Sequence, residues 1–269
     1  MQHPLAQIVA LTCYANAALR GRLIPFFPHH STCVFCETVA FVRIDGKRED
    51  PVAPSPDLWF RKLQEGSCQH IHLHHIPQSN PQISDRMSSG FVGGGRRWLM
   101  EATYRERADY WEARWSVGNQ KAPDKRIWRV TYGLIAVRPD ETLISVSPLA
   151  TIRHDLLRTL ADIHEFALHH DLGSFADYFS RATECLESDT PFALVYHKDL
   201  SPDGLLPLKV AQLLAAANAA WVFGGMGSWN DLGFDGPDQT RYESLSDALF
   251  TQLNTAIYAA TNTSATNGA

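Results

Sequence analysis

Four histidines and a cysteine fall within the eight residues Cys68-Gln69-His70-Ile71-His72-Leu73-His74-His75, and a further pair of thiols, Cys33 and Cys36, lies upstream at C-x-x-C spacing. Neutral imidazole and thiolate are ligands that zinc favours, so the first chemistry to weigh is a metal site. The alternation of Ile71 and Leu73 with the histidines predicts a β-strand. On it Cys68, His70, His72 and His74 line one face, and Gln69, Ile71, Leu73 and His75 the other. Imidazoles two residues apart lie roughly 7 Å apart along a strand and can share one ion, whereas residues four apart lie about 13 Å apart and cannot. Only one adjacent pair can therefore bind, His70 with His72 or His72 with His74. A carboxylate or thiol from elsewhere must complete the set. Cys68, His70 and His72 are the expected ligands, with Cys33 or Cys36 as a further thiol. A zinc site of this kind that keeps one position for water would make the chain a metal-dependent hydrolase.

The remaining motifs read as structural. Val34-Phe35 between the paired cysteines offers no Gly or Pro, and residues 38–44 read as strand, so an extended backbone sends the two thiols to opposite faces. The pairs His154-Asp155 and His170-Asp171 fit a solvated helix face, where Glu165 meets His169 and Arg158 meets Asp162. The cluster Gly90-Phe91-Val92-Gly93-Gly94-Gly95 is followed by the strand-like Arg96-Arg97-Trp98-Leu99 rather than by a helix start, which suits a hairpin or lid better than a phosphate loop.

One loop is left without such an account. In Trp221-Val222-Phe223-Gly224-Gly225-Met226-Gly227-Ser228-Trp229-Asn230-Asp231 the first two glycines can end a helix by adopting positive φ. Met226, Gly227, Trp229, Asn230 and Asp231 combine backbone freedom, large apolar side chains and polar groups, as a binding loop would. Together with the terminal helix that follows, this run resembles the C-terminal ends of bacterial proteins of the immunity type, which neutralise polymorphic toxins. The resemblance implies a cytosolic binding protein and carries over no defined site.

Short runs rich in Val, Ile, Phe, Tyr and Trp separated by turn residues predict strands at residues 38–44, 70–76, 98–104, 110–117 and 126–137. After Ser147-Pro148 the apolar residues recur three or four apart. That spacing predicts helices at residues 149–169, 174–186, 206–223 and 237–260, the last carrying Leu245, Leu249, Leu253 and Ile257 inward. Residues 50–57 read as a Pro-rich loop before a short helix at 59–64, residues 78–95 as a long Gly/Ser/Pro-rich connection, and residues 5–19 as an amphipathic helix. Strands followed by helices argue for an α+β fold: an antiparallel meander covered by C-terminal helices. One domain is expected over residues 1–260, mainly β to 147 and mainly α from 148, with residues 261–269 as a polar, fraying tail.

The net charge of −5 and interleaved acids and bases give no footprint for a nucleic-acid backbone. An odd count of five cysteines suits reduced thiols in a cytosol better than a disulfide framework. No window offers the 18 or so apolar residues of a membrane span. No hydrolase triad, kinase, metalloprotease or dinucleotide signature is present. The leading expectation is a non-catalytic cytoplasmic binding protein that needs no cofactor and occludes a protein partner such as a toxin; the competing one is the zinc-dependent hydrolase.

Overall fold

The computed structural model describes residues 1–76, 84–89, 95–139 and 146–266. Helix α1 (His3–Leu19) opens the chain, followed by a 3-10 turn at Ser31–Cys33, strands β1 (Cys36–Asp45) and β2 (Arg48–Ala53), and helix α2 (Pro56–Glu65). Then come β3 (His70–Ile76), the single turn α3 (Asp85–Ser88), β4 (Arg97–Thr103), β5 (Ala108–Val117) and β6 (Trp128–Arg138). Helices α4 (Leu149–His169), α5 (Gly173–Glu187), α6 (Leu208–Ala219) and α7 (Pro237–Thr263) complete it. The architecture is α+β: one six-stranded sheet of order β2-β1-β6-β5-β4-β3 with helices packed on it. β3 to β6 form the expected meander, but the sheet as a whole is mixed because β1 pairs parallel with β6. β2 overlaps the stretch read as a loop at residues 50–57. Its Pro51 is tolerated because β2 is an edge strand, where a missing N–H need not break a ladder.

Helix α1 differs from the expected amphipathic helix. It carries no Asp, Glu, Lys or Arg, and residues 5–18 are buried without exception. It packs against β3, β4, α2 and α7, so there is no solvent side for a polar face to occupy. The polar residues that interrupt its apolar run are all engaged inside. Gln7 Nε2 donates to the Thr32 carbonyl at 3.0 Å while its Oε1 accepts from Tyr132, and Thr12 donates to the Ile8 carbonyl at 2.8 Å.

Of the C-terminal helices, α7 packs on β3 and α1, and α4 and α6 pack on α7, with α5 between them. Helix α6 ends at Ala219, short of the expected 223; Ala220, at φ −80° and ψ 3°, leaves the helix, and Trp221 and Phe223 both pack on Phe250 of α7. Gly224 and Gly225 therefore do not terminate it; the left-handed residue of that loop is Gly227, at φ 81°. The expected fraying tail is also overturned at its start. Thr261, Asn262 and Ser264 are buried, and the Asn262 amide bonds to the backbone of Leu73 on β3. Among the described residues no helix is long and apolar enough to cross a membrane. The connection read at residues 78–95 falls largely outside the described residues; within it lies α3, capped by Ser84, which accepts from the Met87 N–H at 3.2 Å.

Candidate functional site

Strand β3 is built as its alternation requires. Ile71 and Leu73 enter the core, and His70, His72 and His74 share the opposite face. The register β3–β4 sets Glu101 across from His72 and Thr103 across from His70. His70 and His72 stand with ring centres 4.4 Å apart, and His72 and His74 6.4 Å apart. Glu101, fully buried, is the carboxylate that sequence spacing could not place. Its Oε2 lies 3.0 Å from His74 Nε2. Burial and then the neighbouring His70 lower the His72 pKa to about 4, so this imidazole is neutral at pH 7.

Cys68 does not join this face. Ser67 adopts φ 56°, the strand begins only at His70, and the Cys68 thiol turns into the core to meet the carbonyls of His70 and Thr103, each at 3.4 Å. Burial pushes that thiol up to about 12, which keeps it protonated at pH 7. Cys33 and Cys36 lie at the start of β1, which three strands separate from β3, and the expectation for them is reversed. The 3-10 turn at Ser31–Cys33 brings both sulfurs to one side, where Gln7 Nε2 lies 3.7 and 3.6 Å from them. All five cysteines are free and buried. Among the described residues no group of three or more His, Cys, Asp or Glu side chains has the arrangement of a metal site.

The loop singled out for binding separates into inward and outward parts. Trp229 is a core residue: its surroundings are Phe175, Phe179 and Tyr242, and its indole N–H donates to Ser246 Oγ at 2.7 Å. Asn230 fastens α3 to this loop, donating to the Arg86 carbonyl at 3.1 Å and accepting from the Arg86 guanidinium at 3.2 Å. Asp231 accepts from the Gly227 N–H. Met226 alone among these five positions projects fully into solvent as a large apolar side chain. Trp229 is thus a plug of the core rather than a surface anchor.

The same segment contributes to a site through residues that no spacing along the chain singles out. A cavity of about 420 Å³ lies between the core-facing side of the sheet, the first turn of α1, and α7. Its walls include Trp98 and Trp115 from the sheet, Trp221, and Phe250, with Gly224 and Gly225 beside them. Arg96 reaches its edge with its guanidinium 5.9 Å from the Phe250 ring centre and its Nε 3.4 Å from Asp85. Arg97 is held in a two-pronged bond by Glu112 at 2.7 and 2.6 Å. Asn254 of α7 lines the cavity while fully buried. Its amide donates to the Phe250 carbonyl at 2.6 Å, but its Oδ1 has no hydrogen-bond partner among the described residues. The first turn of α1 carries no side-chain cap, because Gln2 instead donates to the carbonyls of Ser89 and Phe223. Aromatic residues converging from four separate segments leave no local signal, which is why spacing could not find them. Compared with protein families, curated proteins and solved structures, the chain matches none of them.

Proposed function

We propose that this chain is a binding protein for a small planar molecule, taken up in the tryptophan-walled cavity. The observation that carries this reading is the cavity itself, walled by the aromatic faces of Trp98, Trp115, Trp221 and Phe250, with Asn254, a buried amide whose Oδ1 lacks a donor among the described residues, in its lining. Leaving such an acceptor unpaired costs about 1–3 kcal/mol, and a ligand N–H or O–H would recover it. A cavity of this size falls within the range of small-molecule sites, in which apolar walls supply most of the burial and a few polar groups fix orientation. The uncapped first turn of α1 and Arg96 favour a carboxylate substituent on the same ligand. The fit is therefore to a one- or two-ring aromatic acid with a ring N–H. Occlusion of a toxin by the loop at 226–231 loses Trp229 as its anchor, since that indole is inside the core.

Isothermal titration with indole-3-acetate checks the reading, with its N-methyl counterpart as the matched ligand lacking the donor. Saturable binding of the first is expected, with the second weaker by roughly 5- to 150-fold, the equivalent of about 1–3 kcal/mol. Asn254→Ala should erase that difference, and Trp98→Ala should weaken both ligands. Equal affinity for the two ligands in the unaltered protein, or no saturable heat from either at millimolar concentration, would sink the proposal.

A further inference from the structure

A second cluster of buried imidazoles lies where the 3-10 turn at Ser31–Cys33 and residues 196–199 meet the start of α1. His197 is 1% exposed, and its Nδ1 lies 2.8 Å from Ser31 Oγ. The Ser31 hydroxyl donates to Asp199 Oδ1, and the Ser31 backbone N–H donates to Asp199 Oδ2 at 2.8 Å. Burial opposes ionisation of Asp199, yet the bonds from Ser31 and the adjacent His30 together hold its carboxyl below the ordinary value. Because the serine proton is committed to that carboxylate, Ser31 Oγ can only accept from His197. The network therefore assigns the His197 proton to Nδ1 and leaves a lone pair on Nε2. This order, with serine between carboxylate and imidazole, is not that of a nucleophile activated by its histidine.

The Nε2 atoms of His197 and His3 are both buried and without a hydrogen-bond partner among the described residues. The two rings stand at 80° with centres 5.0 Å apart. Two imidazoles bound through nitrogen to one tetrahedral ion, at zinc–nitrogen distances of about 2.0–2.1 Å, place their ring centres about 5 Å apart. A metal-bound imidazole is ordinarily oriented by a partner on its other nitrogen, and here the chain His197–Ser31–Asp199 supplies it.

We propose that His3 and His197 form a binding site for a divalent ion of the zinc class, with Nε2 of each as the two protein ligands and water in the remaining positions. The site is distinct from the histidines of β3, and His3 also lines the tryptophan-walled cavity. Tag-free protein titrated with Zn²⁺ by calorimetry and with Co²⁺ by visible absorption tests it. One equivalent should bind, and uptake should be lost in His197→Gln and in His3→Gln but kept in His72→Gln. Ser31→Ala should weaken binding by roughly 10- to 100-fold through loss of orientation. Melting curves report whether each variant folds; if His197→Gln does not, the half-buried His3→Gln decides alone. Retention of the ion in a folded His3 or His197 variant, loss confined to His72→Gln, or no stoichiometric uptake overturns the proposal.

Discussion

At Trp229 a bulky side chain between glycines and polar residues lies wholly inside the molecule, and its one polar atom is matched by Ser246. The backbone carbonyl of Trp229 is matched as well, accepting from the Tyr242 hydroxyl. Truncation would leave a cavity among Phe175, Phe179 and Tyr242 and strand the Ser246 hydroxyl. Trp229→Ala should therefore cost about 3–5 kcal/mol in urea unfolding at an unchanged slope, while leaving affinity at the Trp98 cavity unaltered in the folded fraction. A loss under about 1 kcal/mol would contradict its role as a core plug. The cysteines teach the same lesson in the opposite direction. Cys68, whose type suggested ligation, is held protonated by burial.

Strand β3 is an edge strand, and edges invite pairing with other chains unless they are covered. Here two asparagine side chains stand in for a neighbouring strand. Asn16 of α1 accepts from the Ile71 N–H at 2.9 Å and donates to its carbonyl at 2.8 Å. Asn262 of α7 does the same for Leu73, at 2.7 and 2.9 Å. A primary amide carries one acceptor and two donor hydrogens, so it can satisfy both backbone groups of one residue. Asn262→Leu should destabilise the fold by about 1–3 kcal/mol by orphaning two buried backbone groups. It should also speed exchange of the Leu73 amide in hydrogen-exchange measurements. Unchanged protection at Leu73 would show that the edge is closed by something else.

Across the whole molecule one continuous apolar cluster joins α1, the sheet and the C-terminal helices, with Leu11, Tyr132, Phe166 and Leu253 among its buried members. Because α1 and α7 touch each other as well as the sheet, neither half of the chain has a core that closes without the other. Scanning calorimetry should show a single transition whose calorimetric and van't Hoff enthalpies agree. Two resolved transitions, one for the sheet and one for the helices, would contradict a shared core.

Local periodicity determined a good deal. The period-two alternation at Trp111, Ala113 and Trp115 and the helical stripe at Leu245, Leu249 and Leu253 marked β5 and α7, because side-chain direction within an element depends only on neighbours a few residues away. The same reasoning put His70, His72 and His74 on one face. The tertiary structure alone decided that β1 pairs parallel with β6, that a charge-free helix lies buried on all sides, and that Asn262 belongs to the sheet edge rather than to a loose tail. It also brought Trp98, Trp115, Trp221 and Asn254 around one cavity and His3 beside His197. These are encounters between distant segments, set by register and packing across the core, and spacing along the chain carries no record of which partner each residue will meet.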